Sequence, residues 1–297
     1  MTNSEKRQKL RQRLTSGPMI AAPGIYDAYG ARFVEQAGFE AVYMTGNGVS
    51  ASLLGRPDVG LIDLTLLSQH AHRAAACVDI PLICDADTGY GNAVNVRRTV
   101  EEFEAAGIAA IHLEDQVSPK RCGHLPGSRP VIELEEAVGK IEAALAARRD
   151  PDFIVIARTD SASAHGLDDA IRRGKAFRKA GADVVFVELK SSPRIKEELK
   201  RVTGEIDAPC LVNVEELGEL GELTAAQLEV LGLRIAIYPG LVRYAAGYGI
   251  RNALDALKRD GTTKEARGAM LTFREYNAVL GISEVEDWER RFFLRER

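Results

Sequence analysis

Two aspartates, Asp85 and Asp87, open a run that reads Asp85-Ala86-Asp87-Thr88-Gly89-Tyr90-Gly91. A further carboxylate follows in Glu114-Asp115-Gln116, and an arginine–aspartate pair in Arg158-Thr159-Asp160. Residues two apart on a strand share a face, so Asp85 is expected to pair with Asp87, His112 with Glu114 and Arg158 with Asp160. Carboxylates gathered at one rim repel each other unless a cation intervenes. Oxygen donors of this kind suit a hard divalent ion, Mg2+ or Mn2+. The second chemical feature is a thiol. Cys122 stands in Ser118-Pro119-Lys120-Arg121-Cys122-Gly123-His124-Leu125-Pro126-Gly127, between two cations and a histidine. A sulfur in a polar, glycine-rich loop of this kind is suited to reactivity rather than packing. Cys77, Cys84 and Cys210 lie in apolar runs and read as small buried hydrophobes. No CxxC pair occurs to hold zinc.

The elements that must position these groups alternate. Short apolar runs rich in β-branched residues cover Met19–Ala22, Ala41–Thr45, Pro81–Asp87, Ala109–Glu114, Phe153–Thr159, Asp183–Leu189, Pro209–Val214 and Arg234–Tyr238. Amphipathic stretches lie between or after them, at Val94–Ala106, Leu134–Ala147, Leu167–Ala180, Pro193–Val202 and Val242–Lys258. Several end on an Ala-Gly pair, at Gly38, Gly107 and Gly181, where glycine takes the left-handed turn that stops a helix. Strand–helix units with short connections make a parallel sheet. Eight of them in about 240 residues predict an α/β fold of (β/α)8 TIM-barrel type, with chemistry at the C-terminal strand ends. An open doubly wound sheet would want a glycine-rich phosphate loop after its first strand, and the chain has none. Residues 1–16 read as an extra N-terminal helix. The stretch from about 264 to 297 reads as a C-terminal helical extension, with Met270, Leu271, Phe273, Tyr276, Leu280, Trp288, Phe292 and Phe293 at helical spacing. The whole chain is read as one domain, its core at about 17–260. The tail must cover apolar surface, on its own barrel or on a neighbouring subunit.

Composition narrows the function classes. The 297 residues carry 39 basic and 43 acidic side chains, a net charge of -4, which leaves no basic excess for nucleic acid. No apolar run reaches the ~20 residues that span a bilayer, so no membrane partner is expected. The N-terminal segment lacks an apolar signal core. Few, scattered cysteines fit a reducing cytoplasm. The loop holding Cys122 is longer than the ~2–6 residues usual between strand and helix, a length typical of mobile catalytic loops.

Taken together, the runs at Asp85–Gly91, Glu114–Gln116, Lys120–His124 and Ala157–Asp160, with Glu188, closely resemble the isocitrate lyase/phosphoenolpyruvate mutase superfamily over about residues 15–290. The cysteine run is the most specific part and resembles the lyase branch, whose members cleave 2-methylisocitrate, isocitrate and 2,3-dimethylmalate. The resemblance implies a Mg2+-dependent carbon–carbon lyase acting on a small carboxylate. It further implies a homotetramer whose C-terminal helices swap between paired subunits. The alternatives are mutase, oxaloacetate hydrolase or decarboxylase chemistry of the same superfamily. By resemblance, Asp85 and Asp87 are metal-site carboxylates, and Asp58 and Glu114 act mainly through waters on the metal. Tyr43, Thr45, Gly46, Asn47 and Arg158 match the keto-acid pocket. Lys120, Arg121, Cys122, Gly123 and His124 match the catalytic loop, with Cys122 as proton donor. Glu188 and Asn213 line the far side of the substrate. The base for the hydroxyl proton stays open between Tyr43, Glu188 and a metal-bound water. Two departures stand out. Methylisocitrate lyases tend to read Asn-x-Thr-Glu-Phe where this chain reads Asn213-Val214-Glu215-Glu216-Leu217, without a hydroxyl. The run Pro239–Arg243 is one residue shorter than in many relatives, so Arg243 is given no role. Both favour a smaller, more apolar malate over a tricarboxylate.

Overall fold

Along each strand, successive side chains point to opposite faces. In a closed barrel one set fills the interior and the other meets the helices. The computed structural model of the chain describes residues 1–123, 125 and 129–293. Eight parallel strands pair in chain order, and the last returns to the first. They are β1 (Ile20–Ile25), β2 (Val42–Met44), β3 (Leu82–Asp85), β4 (Ala110–Glu114), β5 (Ile154–Thr159), β6 (Val184–Val187), β7 (Cys210–Asn213) and β8 (Leu233–Tyr238). The helices are α1 (Asn3–Thr15), α2 (Ala28–Gln36), α3 (Gly46–Leu54), α4 (Leu64–Ala76), α5 (Ala93–Ala105), α6 (Leu134–Ala147), α7 (Ala162–His165), α8 (Leu167–Lys179), α9 (Ile195–Glu205), α10 (Ala225–Val230), α11 (Leu241–Asp260), α12 (Phe273–Val279) and α13 (Ile282–Phe292).

The interior is an apolar plug. Ile20, Ala22, Ile83, Ile154, Ile156, Val184, Phe186, Leu211, Ile235 and Ile237 form one buried cluster with Leu10 and Leu14 of α1. The extra N-terminal helix therefore closes the lower end of the barrel. Its polar side chains are sealed against the loops there. Lys6 Nζ donates to the carbonyls of Ala75 and Val78, and Arg7 donates to the Ile108 carbonyl and to Asp150. The outward faces of the strands pack on the helices through two further clusters, centred on residues such as Leu67, Phe103 and Phe177, and Ile171, Leu199 and Leu228.

The helix-stop glycines behave as their sequence context dictates, with φ of 83° at Gly38, 85° at Gly107 and 103° at Gly181. Two details differ from expectation. β1 runs past Ala22 to Ile25, because Pro23 pairs with Tyr238 of β8 and Gly24 with Tyr43 of β2. A Cβ on Gly24 would lie 2.5 Å from the Pro239 Cα, so only glycine allows that approach. β3 stops at Asp85, and Asp87 takes a left-handed φ of 48° in the loop beyond it. At the other end of the chain, α12 leans on α2 of its own barrel, where the Tyr29 and Tyr276 rings lie 5.6 Å apart and Gln36 donates to the Val279 carbonyl. Beyond α12, Trp288, Phe292 and Phe293 stay exposed. No helix among the described residues is long and apolar enough to cross a membrane.

Candidate active site

The same period-2 alternation that builds the plug carries each strand to a polar residue at the upper rim. On β3, Ile83 is followed inward by Asp85, and on β4, Ala110 by His112 and Glu114. On β5, Ile156 leads to Arg158, and beyond β6 Phe186 leads to Glu188. On β7, Leu211 leads to Asn213. Beneath this rim a ring layer forms the floor. The Tyr43 hydroxyl and His112 Nε2 share a hydrogen bond of 2.9 Å, and the His112 ring packs edge-on to Phe186. Burial pushes the His112 imidazole down to about 4, so it is neutral at ordinary pH. Burial likewise raises the Tyr43 phenol well above its usual range.

Asp85 and Asp87 converge, but not through strand alternation. The left-handed turn at Asp87 folds its backbone back, and its N–H donates to Asp85 Oδ1 at 2.9 Å. Both carboxylates close on Gly46, whose N–H reaches Asp85 Oδ2 at 3.3 Å. A Cβ on Gly46 would stand 2.8 Å from Asp85 Oδ2 and 3.4 Å from Asp87 Oδ1, so a glycine is required beneath them. Lys120 Nζ bridges Asp58 at 2.7 Å and Asp87 at 2.8 Å. The two central acids are driven apart in their protonation. Burial would raise both, but His112, Lys120 and Arg158 hold Asp85 down to about 2. At Asp87 burial wins, helped by the charges of Asp85 and Asp58, and lifts it to about 7. Burial also raises Glu114 well above the carboxylate range, and its Oε1 has no hydrogen-bond partner. Crowded, buried, oxygen-only donors of this kind fit a hard cation. Among the described residues no group of three or more His, Cys, Asp or Glu side chains is placed to hold a metal ion by itself.

Arg158 faces that cluster from β5. It holds Asp160 through Nε at 2.9 Å and Nη2 at 3.0 Å, and approaches Glu114 at 3.3 Å and Glu188 at 3.4 Å. Its guanidinium also lies 5.0 Å over the Phe186 ring. The residue is thus a fixed positive charge with a fixed direction. Cys122 lines the same cavity, half-buried, with its N–H on the Asp58 carbonyl and its sulfur 3.2 Å from Asn47 Nδ2. The other cysteines serve packing. Burial raises the thiols of Cys84 and Cys77, and lifts Cys210 to about 12.

Thirteen of the expected site residues line one cavity of about 450 Å³ that opens to solvent: Tyr43, Thr45, Asn47, Asp58, Asp85, Glu114, Lys120, Arg121, Cys122, Gly123, Arg158, Glu188 and Asn213. Asp87 and Gly46 sit behind that lining, against Asp85. His124 lies outside the described residues. Pro239 and Arg243 complete the wall, although sequence reasoning gave Arg243 no role. Arg129 was missed altogether. It is buried, and its Nη1 pairs with Asp160 Oδ1 at 2.5 Å, beside Arg158. A Cβ on Gly123 would meet its guanidinium at 2.8 Å. Its only sequence signal is a lone arginine at the far end of the Cys122 loop.

Comparison with known proteins agrees with this geometry. The family model for phosphoenolpyruvate phosphomutase matches residues 10–258. The chain is 45% identical over 284 residues to a 2,3-dimethylmalate lyase of Eubacterium barkeri, covering 96% of this chain and 97% of that one. It is 35% identical over 289 residues to a 2-methylisocitrate lyase of Shewanella oneidensis, covering 97% and 98%. A solved phosphonopyruvate hydrolase in complex with oxalate and Mg2+ superposes with a TM-score of 0.88 at 33% identity, covering 98% of this chain and 99% of that one. With its closed barrel, its acid-lined mouth and this likeness along nearly its whole length, the chain belongs to the phosphoenolpyruvate mutase/isocitrate lyase superfamily.

Proposed function

We propose that the protein is a Mg2+-dependent carbon–carbon lyase of the cytoplasm that cleaves a substituted malate, 2,3-dimethylmalate before 2-methylisocitrate, to pyruvate and a second carboxylate. The observation that carries the reading is that Cys122 lines one cavity with Arg158, Asp58, Asp85 and Glu114. Asp85 and Asp87, with Asp58 and Glu114 around them, are the residues that would hold the cation. Mg2+ commonly rests on one or two carboxylates and keeps its waters, which suits this donor set. When bound, it supplies Lewis-acid polarisation of the substrate's hydroxyl and neighbouring carboxylate oxygens.

The side chains do the rest. Arg158 orients the α-carboxylate and stabilises charge on the oxygen that becomes the ketone. Burial keeps Tyr43 protonated, so it donates a hydrogen bond. Glu188, 3.4 Å from both Arg158 and Asn213, is the side chain assigned to the hydroxyl proton. As the C2–C3 bond breaks, its electron pair passes to C3, next to the second carboxylate. Lys120 and Arg121 face that charge, and Cys122 delivers its proton to C3. Gly123 lets the loop lie close over Arg129.

Substrate size follows from β7. Its end carries Val214, Glu215 and Glu216, and Glu216 is already engaged by the amides of Gly240 and Leu241. Glu215 lines a recess adjoining the cavity, together with Gly123, Glu188 and Asn213. With no hydroxyl in the run Asn213–Leu217 to bind one, a third carboxylate is disfavoured. In a panel of 2,3-dimethylmalate, 2-methylisocitrate, isocitrate, citramalate and oxaloacetate with Mg2+, keto-acid release should favour dimethylmalate over methylisocitrate by about tenfold or more in kcat/KM. Preference for a tricarboxylate, or turnover of a phosphonate seen by 31P NMR, would replace this reading.

The reading includes assembly into a homotetramer with C-terminal helices exchanged between paired subunits. What supports it is the apolar surface left bare on α11 to α13, including Tyr248, Leu254, Trp288 and Phe292. Light scattering at micromolar concentration should give four times the chain mass, and a monomer would contradict the exchange. The four unpaired cysteines fit the reducing compartment.

A further inference from the structure

The carboxamide of Asn47 is occupied at both ends. Its Oδ1 accepts from Arg243 Nη1, and its Nδ2 donates to Cys122 Sγ at 3.2 Å. The orientation is not free. A guanidinium carries only N–H donors, so the amide oxygen must face Arg243, which leaves the amino group for the sulfur. A sulfur that accepts this bond keeps its own S–H for the cavity. With the amide reversed, the oxygen would take the thiol hydrogen and hold it away from the substrate.

Arg243 is itself held in place. It stands in the first turn of α11, whose leading amides at Gly240 and Leu241 donate to Glu216 Oε1 at 2.6 and 2.8 Å. Its Nη2 donates to the Tyr244 hydroxyl at 3.0 Å, and its guanidinium lies 4.7 Å over that ring. A continuous line of contacts therefore runs from the end of β7, through the start of α11, to the thiol.

We propose that Arg243 is a positioning residue for proton delivery: it fixes the Asn47 carboxamide in the orientation that leaves the Cys122 S–H directed at the substrate. This rests on the assignment of Cys122 as proton donor. In that step the S–H bond breaks and a C–H bond forms at C3. The sulfur is left as thiolate, and the Asn47 N–H already aimed at it stabilises the charge. On this account Asn47 serves the thiol rather than the keto acid.

The test uses the full-length enzyme with Mg2+ and the substrate turned over best in the panel, each variant being checked for an unchanged melting temperature. Arg243→Met should lower kcat about tenfold, the worth of one hydrogen bond, while KM and inhibition by pyruvate change less than about twofold. Asn47→Leu should match it, and the double variant should be no slower than Asn47→Leu alone, because Arg243 acts through that amide. Arg243→Lys, which still offers a donor to Oδ1, should recover most of the rate. Asn47→Asp keeps the partner of Arg243 but removes the N–H, and should be as slow as Asn47→Leu. Additive losses in the double variant, or a loss carried by KM, would mean that Arg243 grips the substrate itself and would overturn the proposal. So would full activity in Arg243→Met or Asn47→Asp beside an inactive Cys122→Ala. Full activity in Cys122→Ala would instead remove the underlying assignment.

Discussion

Cys122→Ala is expected to lower turnover by about 10²- to 10⁴-fold, the usual contribution of a positioned general acid. The sulfur is half-buried on a loop, and among the described residues its hydrogen bond is to Asn47. It supports no strand or helix, so the melting temperature should stay close to that of the parent. On the proposed reading, pyruvate and the cation are held by Arg158 and the acids rather than by Cys122. Their binding, followed by calorimetry, should therefore survive the substitution. A large loss of kcat with intact product binding is the signature of a group that acts during the chemical step. Undiminished cleavage would remove the thiol from the mechanism.

The second large effect is expected at the acids. Asp85→Asn should abolish turnover to below about one part in 10³, and chelation of the parent enzyme should do the same until Mg2+ is returned. The pH dependence follows from Asp87, which burial lifts from 3.8 to about 7. Because its folded value is raised, the folded state favours the protonated carboxyl. That contribution to stability is present below about 4 and is lost as pH climbs through 7. On the proposed reading a bound cation would reverse the trend, since it would bind only the ionised carboxylate. The rise in melting temperature on adding Mg2+ should thus be larger at pH 8 than at pH 6. An equal rise at both pH values would mean that Asp87 does not compete between proton and metal. A fully active Asp85→Asn would dismiss the acid cluster as the cation site.

Much of this site was readable in the chain because a barrel turns a one-dimensional pattern into a ring. Apolar residues two apart become the plug, and the next residue in phase becomes the rim. That rule placed Asp85, Glu114, Arg158, Glu188 and Asn213 at one mouth before any coordinates. It gave the right partner for Asp87 for the wrong reason, since a left-handed turn beyond β3, not strand alternation, brings the two acids together. Arg129 and Arg243 were illegible because their positions depend on how a loop and a helix fold back over the rim. No periodicity encodes that. Gly24 misled for a related cause: glycine and proline usually punctuate loops, but here Pro23 pairs with β8 and Gly24 with β2 inside the first strand.

Helix α11 carries a final consequence. One end holds Arg243 against Asn47, while along its length Tyr248, Ile250, Leu254 and Leu257 stand bare. Rewriting that greasy flank with charged residues to improve solubility would alter a helix whose first turn holds the amide that touches the Cys122 sulfur. Any such redesign should be judged by reaction speed as well as by yield.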